Sequence, residues 1–273
     1  MTKTKVWGLA GLLCAGFSLQ AATTLSITND GTNGNAVISP YTGTLIENGG
    51  NPITGVKLFC DDALDYSPTA PSTAYNVVVS SITGSLSSTR FGSAAAAGTS
   101  SGITPSGFTM PTGTTLYDEL AWIYTQMMAT SSLATQEALQ VAAWSLTAPE
   151  TNWLSPAQGV TGISGVDSAA QTWLTTLKGL TLTTMQQNGT GYTGVTFSNW
   201  DVIDDTSAAG KATGGGGPSC NTGAGCQEFL AYTGGTGIVT TNTASTPEPA
   251  TFGLFGSALL FGAMVARRRR ASK

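Results

Sequence analysis

Val56-Lys57-Leu58-Phe59-Cys60-Asp61 alternates along its whole length, and that alternation sets the fold class. Val56, Leu58 and Cys60 fall on one face and Lys57, Phe59 and Asp61 on the other, the two-residue period of a β-strand. Upstream, short β-type runs at 23–28, 36–38 and 43–46 are punctuated by Asn29-Asp30-Gly31, Asn33-Gly34 and Pro40. Downstream, the valine-rich run 75–82 predicts another strand, and the Gly/Ser/Ala/Thr stretch 90–111 a long loop. The pattern then changes period: 116–129, 135–146 and 168–177 read as helices, the last with Asp167 placed to cap it. Runs 195–202 and 227–232 return to strand, while 210–217 and 233–246 read as flexible segments, the second a tether. Strands, helices, strands predict an α+β fold, a β-sandwich or barrel with a helical insertion over residues 22–232.

Charge narrows the function. Between the two ends the basic residues are Lys57, Arg90, Lys178 and Lys211, against 14 acids from Asp30 to Glu228. A balance of about −10 repels duplex DNA, so no nucleic-acid partner is expected. The chain has no histidine, which removes Ser-His-Asp and Cys-His catalysis and the usual zinc and iron sites. No metal or cofactor is expected. Paired carboxylates remain as a hydrolytic possibility. Asp61-Asp62 with Asp65, and Asp204-Asp205, show no pattern that assigns acid and base, so an enzyme is not the expectation.

The two ends read as addresses. Residues 1–5 carry Lys3 and Lys5, 6–19 are almost wholly apolar, and Ala21-Ala22 offer a cleavage site, as in a signal peptide over 1–21. Cys14 lies in that apolar run, but bulky Leu13 before it does not suit a lipobox. At the other end Thr246-Pro247-Glu248-Pro249 leads into 17 residues, 250–266, whose polar members are Thr251 and Ser257. As a helix this segment spans roughly 25 Å, the lower limit for a transmembrane crossing. Arg267-Arg268-Arg269-Arg270 follows and is expected to stay cytoplasmic, leaving everything upstream outside.

Pro247-Glu248-Pro249, apolar helix and arginine cluster together resemble the PEP-CTERM sorting signal of Gram-negative bacteria. An ordinary single-pass anchor accounts for the helix and the arginines but not for Pro-Glu-Pro. The resemblance implies processing by an exosortase after passage through the secretion translocon. It also implies transient anchoring in the inner membrane and delivery to the cell surface, outer envelope or exopolysaccharide matrix, as in biofilms.

Three cysteines remain after signal removal, in a compartment that oxidises thiols. Cys220 and Cys226 enclose a flexible Asn-Thr-Gly-Ala-Gly loop and are expected to pair. Cys60 is then left as a buried thiol beside Val56 and Leu58, unless it pairs with Cys220 or Cys226 instead.

A second resemblance concerns Cys60. Phe59-Cys60-Asp61-Asp62, followed by Leu139-Gln140-Val141-Ala142-Ala143-Trp144, resembles the Cys…Gln-x-Ala-x-Trp framework of bacterial adhesin thioester domains. The resemblance implies a thioester between Cys60 and Gln140, with Phe59, Asp61, Ala142 and Trp144 as motif support. The physical requirements fit. Leu139, Ala142, Ala143 and Leu146 form a helical core stripe that Gln140 borders, with Trp144 one turn on. Gln136 is the competing amide, at a spacing to Trp144 that does not match. Lacking the histidine that promotes transfer to hydroxyls, such a bond would acylate a protein amine rather than a sugar. The alternative is a structural matrix protein without the bond.

Sorting supplies the first test. The tail is expected to be removed near 247–249 in cells that hold an exosortase. Mature protein recovered from the envelope with Arg267-Arg268-Arg269-Arg270 still attached is the contrary result.

Overall fold

The computed structural model describes residues 22–33, 37–61, 70–87, 89–92, 111, 113–147, 166–189, 191–205 and 227–234. Its strands are β1 (Thr24–Asn29), β2 (Thr32–Asn33), β3 (Val37–Ile38), β4 (Tyr41–Ile46), β5 (Ile53–Cys60), β6 (Tyr75–Ser81), β7 (Trp200–Asp205) and β8 (Phe229–Tyr232). Helices α1 (Leu116–Ala129), α2 (Leu133–Thr147), α3 (Val166–Lys178) and the short α4 (Leu182–Gln186) lie between β6 and β7. Six strands close into a barrel in the order β1-β4-β5-β8-β7-β6, and β2 and β3 form a separate ribbon. Of the two all-β options, the structure takes the barrel, with the helices inserted in the chain as expected.

Closure follows from alternation. Leu25, Ile27, Leu45, Leu58, Val77, Ile203, Phe229 and Ala231 make one buried cluster, the barrel interior. Leu58 sits between Tyr41 on β4 and Ala231 on β8 in the register, so each inward side chain meets inward neighbours. Gly43 is required there, since a Cβ would stand 2.8 Å from Leu58 Cδ1 and 3.0 Å from Ser26 O. The other face of β7 and β8, and of β5 at Phe59, is covered in its turn. Phe59, Leu230, Trp200 and Val202 join Leu116, Leu120 and Tyr124 in the second cluster, under the helices.

Helix α1 is the centre of that layer. Its residues from Leu116 to Met127 are all buried, as suits a helix enclosed on every side. Thr115 and Asp118 begin it with a reciprocal capping box, Thr115 N–H donating to Asp118 Oδ2 at 2.8 Å and Asp118 N–H to Thr115 Oγ1 at 3.2 Å. Trp122 packs edge-on against Trp173 and Tyr192 at 6.0 and 5.8 Å. Helix α3 presents Ala170, Leu174 and Leu177 to the core.

Several sequence expectations shift. The strand read over 195–202 is a 3-10 turn at Phe197–Asn199 followed by β7, which extends through Asp201, Asp204 and Asp205. Helix α3 already includes Val166 and Asp167, so Asp167 stands inside its first turn and not at the cap. No helix among the described residues is long and apolar enough to cross a membrane. The signal peptide 1–21, all but the first two residues of the tether 233–246, the segment 250–266, and Cys220 and Cys226 with their expected disulfide lie outside the described residues.

One acid inside this core makes stability depend on pH. Glu119 on α1 is fully buried; its Oε1 accepts from Thr114 Oγ1 at 2.8 Å, and its Oε2 has no partner among the described residues. Burial pushes its carboxyl from 4.5 up to about 8, with the Thr114 bond opposing. The native state therefore holds a proton that the unfolded chain releases. The contribution of Glu119 to stability is full below pH 4.5 and is lost as pH rises to about 8. The loss has a slope of at most about 1.4 kcal/mol per pH unit. Glu119→Gln should flatten that part of the curve in denaturant titrations; an unchanged slope would count against a buried neutral Glu119.

Candidate functional site: a clamped cysteine at the barrel rim

Cys60 is the last residue of β5 and Phe229 on β8 is its partner in the ladder. By alternation Cys60 faces inward, and its exposure is 3%. Its backbone carbonyl accepts from three side chains: Tyr124 Oη at 2.6 Å, Gln140 Nε2 at 2.8 Å and Trp144 Nε1 at 3.2 Å. Helix periodicity explains the convergence, because Gln140, Trp144 and Thr147 are successive positions of one α2 stripe. Thr147 Oγ1 donates to the next carbonyl, that of Asp61. Tyr124 arrives from α1, stacked on Phe59 with ring centres 4.8 Å apart and an interplanar angle of 28°. Burial pushes its phenol well above the usual range, with the charge of Asp61 adding to the effect, so it stays a donor.

Gln140 is committed at both ends. Ser39 N–H donates to its Oε1 at 3.1 Å while its Nε2 holds the Cys60 carbonyl. Ser39 also accepts from the Cys60 N–H, through Oγ at 2.8 Å. The Ser39 bond fixes which end of the amide is oxygen. The expected pairing of Gln140 with the Cys60 sulfur therefore meets a different geometry, in which this amide clamps the Cys60 main chain. Gln136 lies further off and bonds the Thr130 carbonyl at 2.9 Å. Ala142 is buried in the helical cluster, where its small side chain lets α2 pack closely.

Two side-chain nitrogens among the described residues stand against the sulfur. Trp144 Nε1 stands 3.3 Å from Cys60 Sγ. The carboxamide nitrogen of Gln227 abuts the same sulfur. Gln227 is 3% exposed and stands two residues before β8, the strand paired with β5. Its parity, shared with Phe229 and Ala231, turns it into the barrel toward Cys60. Sequence reading missed it as a site residue, although that parity was legible in the run 227–232.

Buried acids flank both residues on the outward face. Asp61 follows Cys60 and is fully buried, and Glu228 follows Gln227. Glu228 accepts from Tyr117 Oη at 2.5 Å and from Arg90 N–H at 2.6 Å. Burial, then the charges of Asp61 and Asp204, push its carboxyl well above the usual range; the Tyr117 and Arg90 bonds oppose this. Asp204 and Asp205, considered above as hydrolytic acids, are buried in β7, at 5% and 3% exposure, instead of lining an open cleft. Asp62 and Asp65 lie outside the described residues. Among the described residues no cluster of acids, cysteines or histidines is arranged to hold a metal ion.

Comparison with known proteins bears on the other end of the chain. Residues 245–270 match the PEP-CTERM protein-sorting motif. That match takes in Pro247, Glu248, Pro249 and Arg267-Arg268-Arg269-Arg270. The chain thus carries a signal for export and exosortase sorting. No curated protein and no solved structure matches it.

The clamp predicts how Gln140 behaves when changed. Gln140→Ala leaves the Ser39 N–H without its acceptor and removes one donor from the Cys60 carbonyl. A loss of about 1–3 kcal/mol in denaturant unfolding is expected for a buried group left unpaired. Reactivity toward methylamine should persist; its abolition in a folded Gln140→Ala protein would return Gln140 to the role of acyl partner.

Proposed function

We propose that this exported, exosortase-sorted protein is a covalent surface adhesin, armed by an internal thioester between Cys60 and Gln227. The observation that carries the reading is the Gln227 carboxamide set against Cys60 Sγ in a buried site between paired strands. Adhesion, matrix association and the protein amine target come from the motif resemblance and the sorting signal together.

The chemistry balances without a cofactor. Cys60 Sγ adds to the Gln227 carboxamide carbon, the C–N bond breaks, and nitrogen leaves with the thiol proton as ammonia. The product is an acyl group stored on sulfur. An incoming amine then forms a C–N bond to that carbon, the C–S bond breaks, and the amine's surplus proton returns the sulfur to a thiol. The target stays joined to Gln227. Each molecule reacts once, so this is a clamp rather than a turnover enzyme. The setting suits storage of an activated acyl group, because Leu58, Phe229 and Ile203 beside Cys60 exclude water. The bond would close a loop between residues 167 apart, on the order of 5 kcal/mol by chain entropy.

Intact mass decides. Freshly purified protein should be lighter than its sequence by one ammonia, and methylamine should add to residue 227 while releasing the Cys60 thiol. Cys60→Ala and Gln227→Ala should each lose the adduct, and Gln140→Ala should keep it. A full-mass protein that titrates a Cys60 thiol before meeting any amine sinks the proposal and leaves a structural matrix protein.

A further inference from the structure

The Trp144 and Gln227 nitrogens at the Cys60 sulfur do not share one fate. Closing the thioester expels the Gln227 nitrogen as ammonia, whereas the Trp144 indole N–H, 3.3 Å from Sγ, remains. That N–H is shared, since it also lies 3.2 Å from the Cys60 carbonyl, the longest of the three bonds the carbonyl accepts. Tyr124 at 2.6 Å and Gln140 at 2.8 Å already fill the two lone pairs of that oxygen. The indole can therefore turn toward sulfur at little cost to the carbonyl. A thioester sulfur accepts hydrogen bonds weakly and a departing thiolate accepts them strongly, so the bond grows as the C–S bond breaks. Around it the barrel interior is apolar, the setting in which a fixed donor counts most. No histidine is present in the chain to take the part.

We propose that Trp144 is a catalytic residue of acyl transfer, its indole N–H stabilising the negative charge that develops on Cys60 Sγ as the target amine displaces it. The inference rests on the Cys60–Gln227 reading above and adds the group that makes the sulfur a good leaving group. It also separates two roles within one helical stripe. Gln140 holds the main chain of Cys60, while Trp144, one turn later, serves its reacting atom.

Two variants test this. Trp144→Phe removes the N–H and part of the ring. Benzothienylalanine incorporated at position 144 keeps the bicyclic shape and lacks the N–H, which covers the case in which Trp144→Phe does not fold. Both are compared with wild type by intact mass and by the rate of Cys60 thiol release to methylamine, hydroxylamine and water. The expected result is a thioester that still forms and then reacts about 10- to 100-fold more slowly, the worth of one hydrogen bond to a charged group. The slowing should be equal for the three nucleophiles, because all expel the same sulfur. Release at the wild-type rate overturns the role of Trp144 and leaves the thioester standing. Faster release that depends on nucleophile size also overturns it, since that is what a packing lid would give. A wild-type protein without the ammonia loss overturns the thioester itself, and this inference with it.

Discussion

A backbone carbonyl offers two lone pairs, and that of Cys60 receives three side-chain donors from two helices. This convergence fixes where α1 and α2 stand on the barrel. Tyr124 supplies one bond through a ring stacked on Phe59, and Phe59 also lies 5.4 Å from Trp200 on β7. Gln140 supplies the second and ties the same point to Ser39, beside β4. Trp144 supplies the third. A strand end, which would otherwise fray, is held by three side chains, and the sulfur attached to it shares that restraint. Proximity effects in acyl transfer depend on this kind of restraint.

Much of the fold was legible because local period and tertiary role agree. The boundaries of α1 match the sequence reading, since Thr115 and Asp118 form the cap and the apolar run fills all sides of the helix. Alternation in β5 correctly separated Leu58 and Cys60 from Phe59, whose two faces meet two different cores. The failures have physical reasons. Strand β7 hides its acids: Asp204 and Asp205 lie beyond the run read as strand and were weighed as hydrolytic carboxylates, yet β7 extends through them and buries both. The place of Gln227 against the Cys60 sulfur went unread because it depends on register. Which residue of β8 faces Cys60 depends on how two strands distant in the chain are paired, and no single segment encodes that.

Burial also sets the charge state around the site. Tyr117, Tyr124 and Glu228 are all held toward their neutral forms by lack of solvent, and the acids reinforce one another. The low overall count of basic residues is consistent with this, because few cations are available to draw such carboxyls into ionised pairs. Around Cys60 the polar groups are therefore chiefly fixed dipoles, which can answer a charge forming on sulfur without reorganising.

The position of Gln227 has a mechanical consequence. Strand β8 begins at Phe229 and ends at Tyr232, and the chain then runs on toward the sorting motif at 245–270. A target bonded to Gln227 and an envelope attachment downstream would pull on the two ends of this one strand. The tension would follow covalent bonds along β8 and bypass the helices and the five other barrel strands altogether. Their loss of structure under load would not release the target. An attachment through Gln140, by contrast, would draw the same force out through α2 and the whole of the fold before it reached the tether.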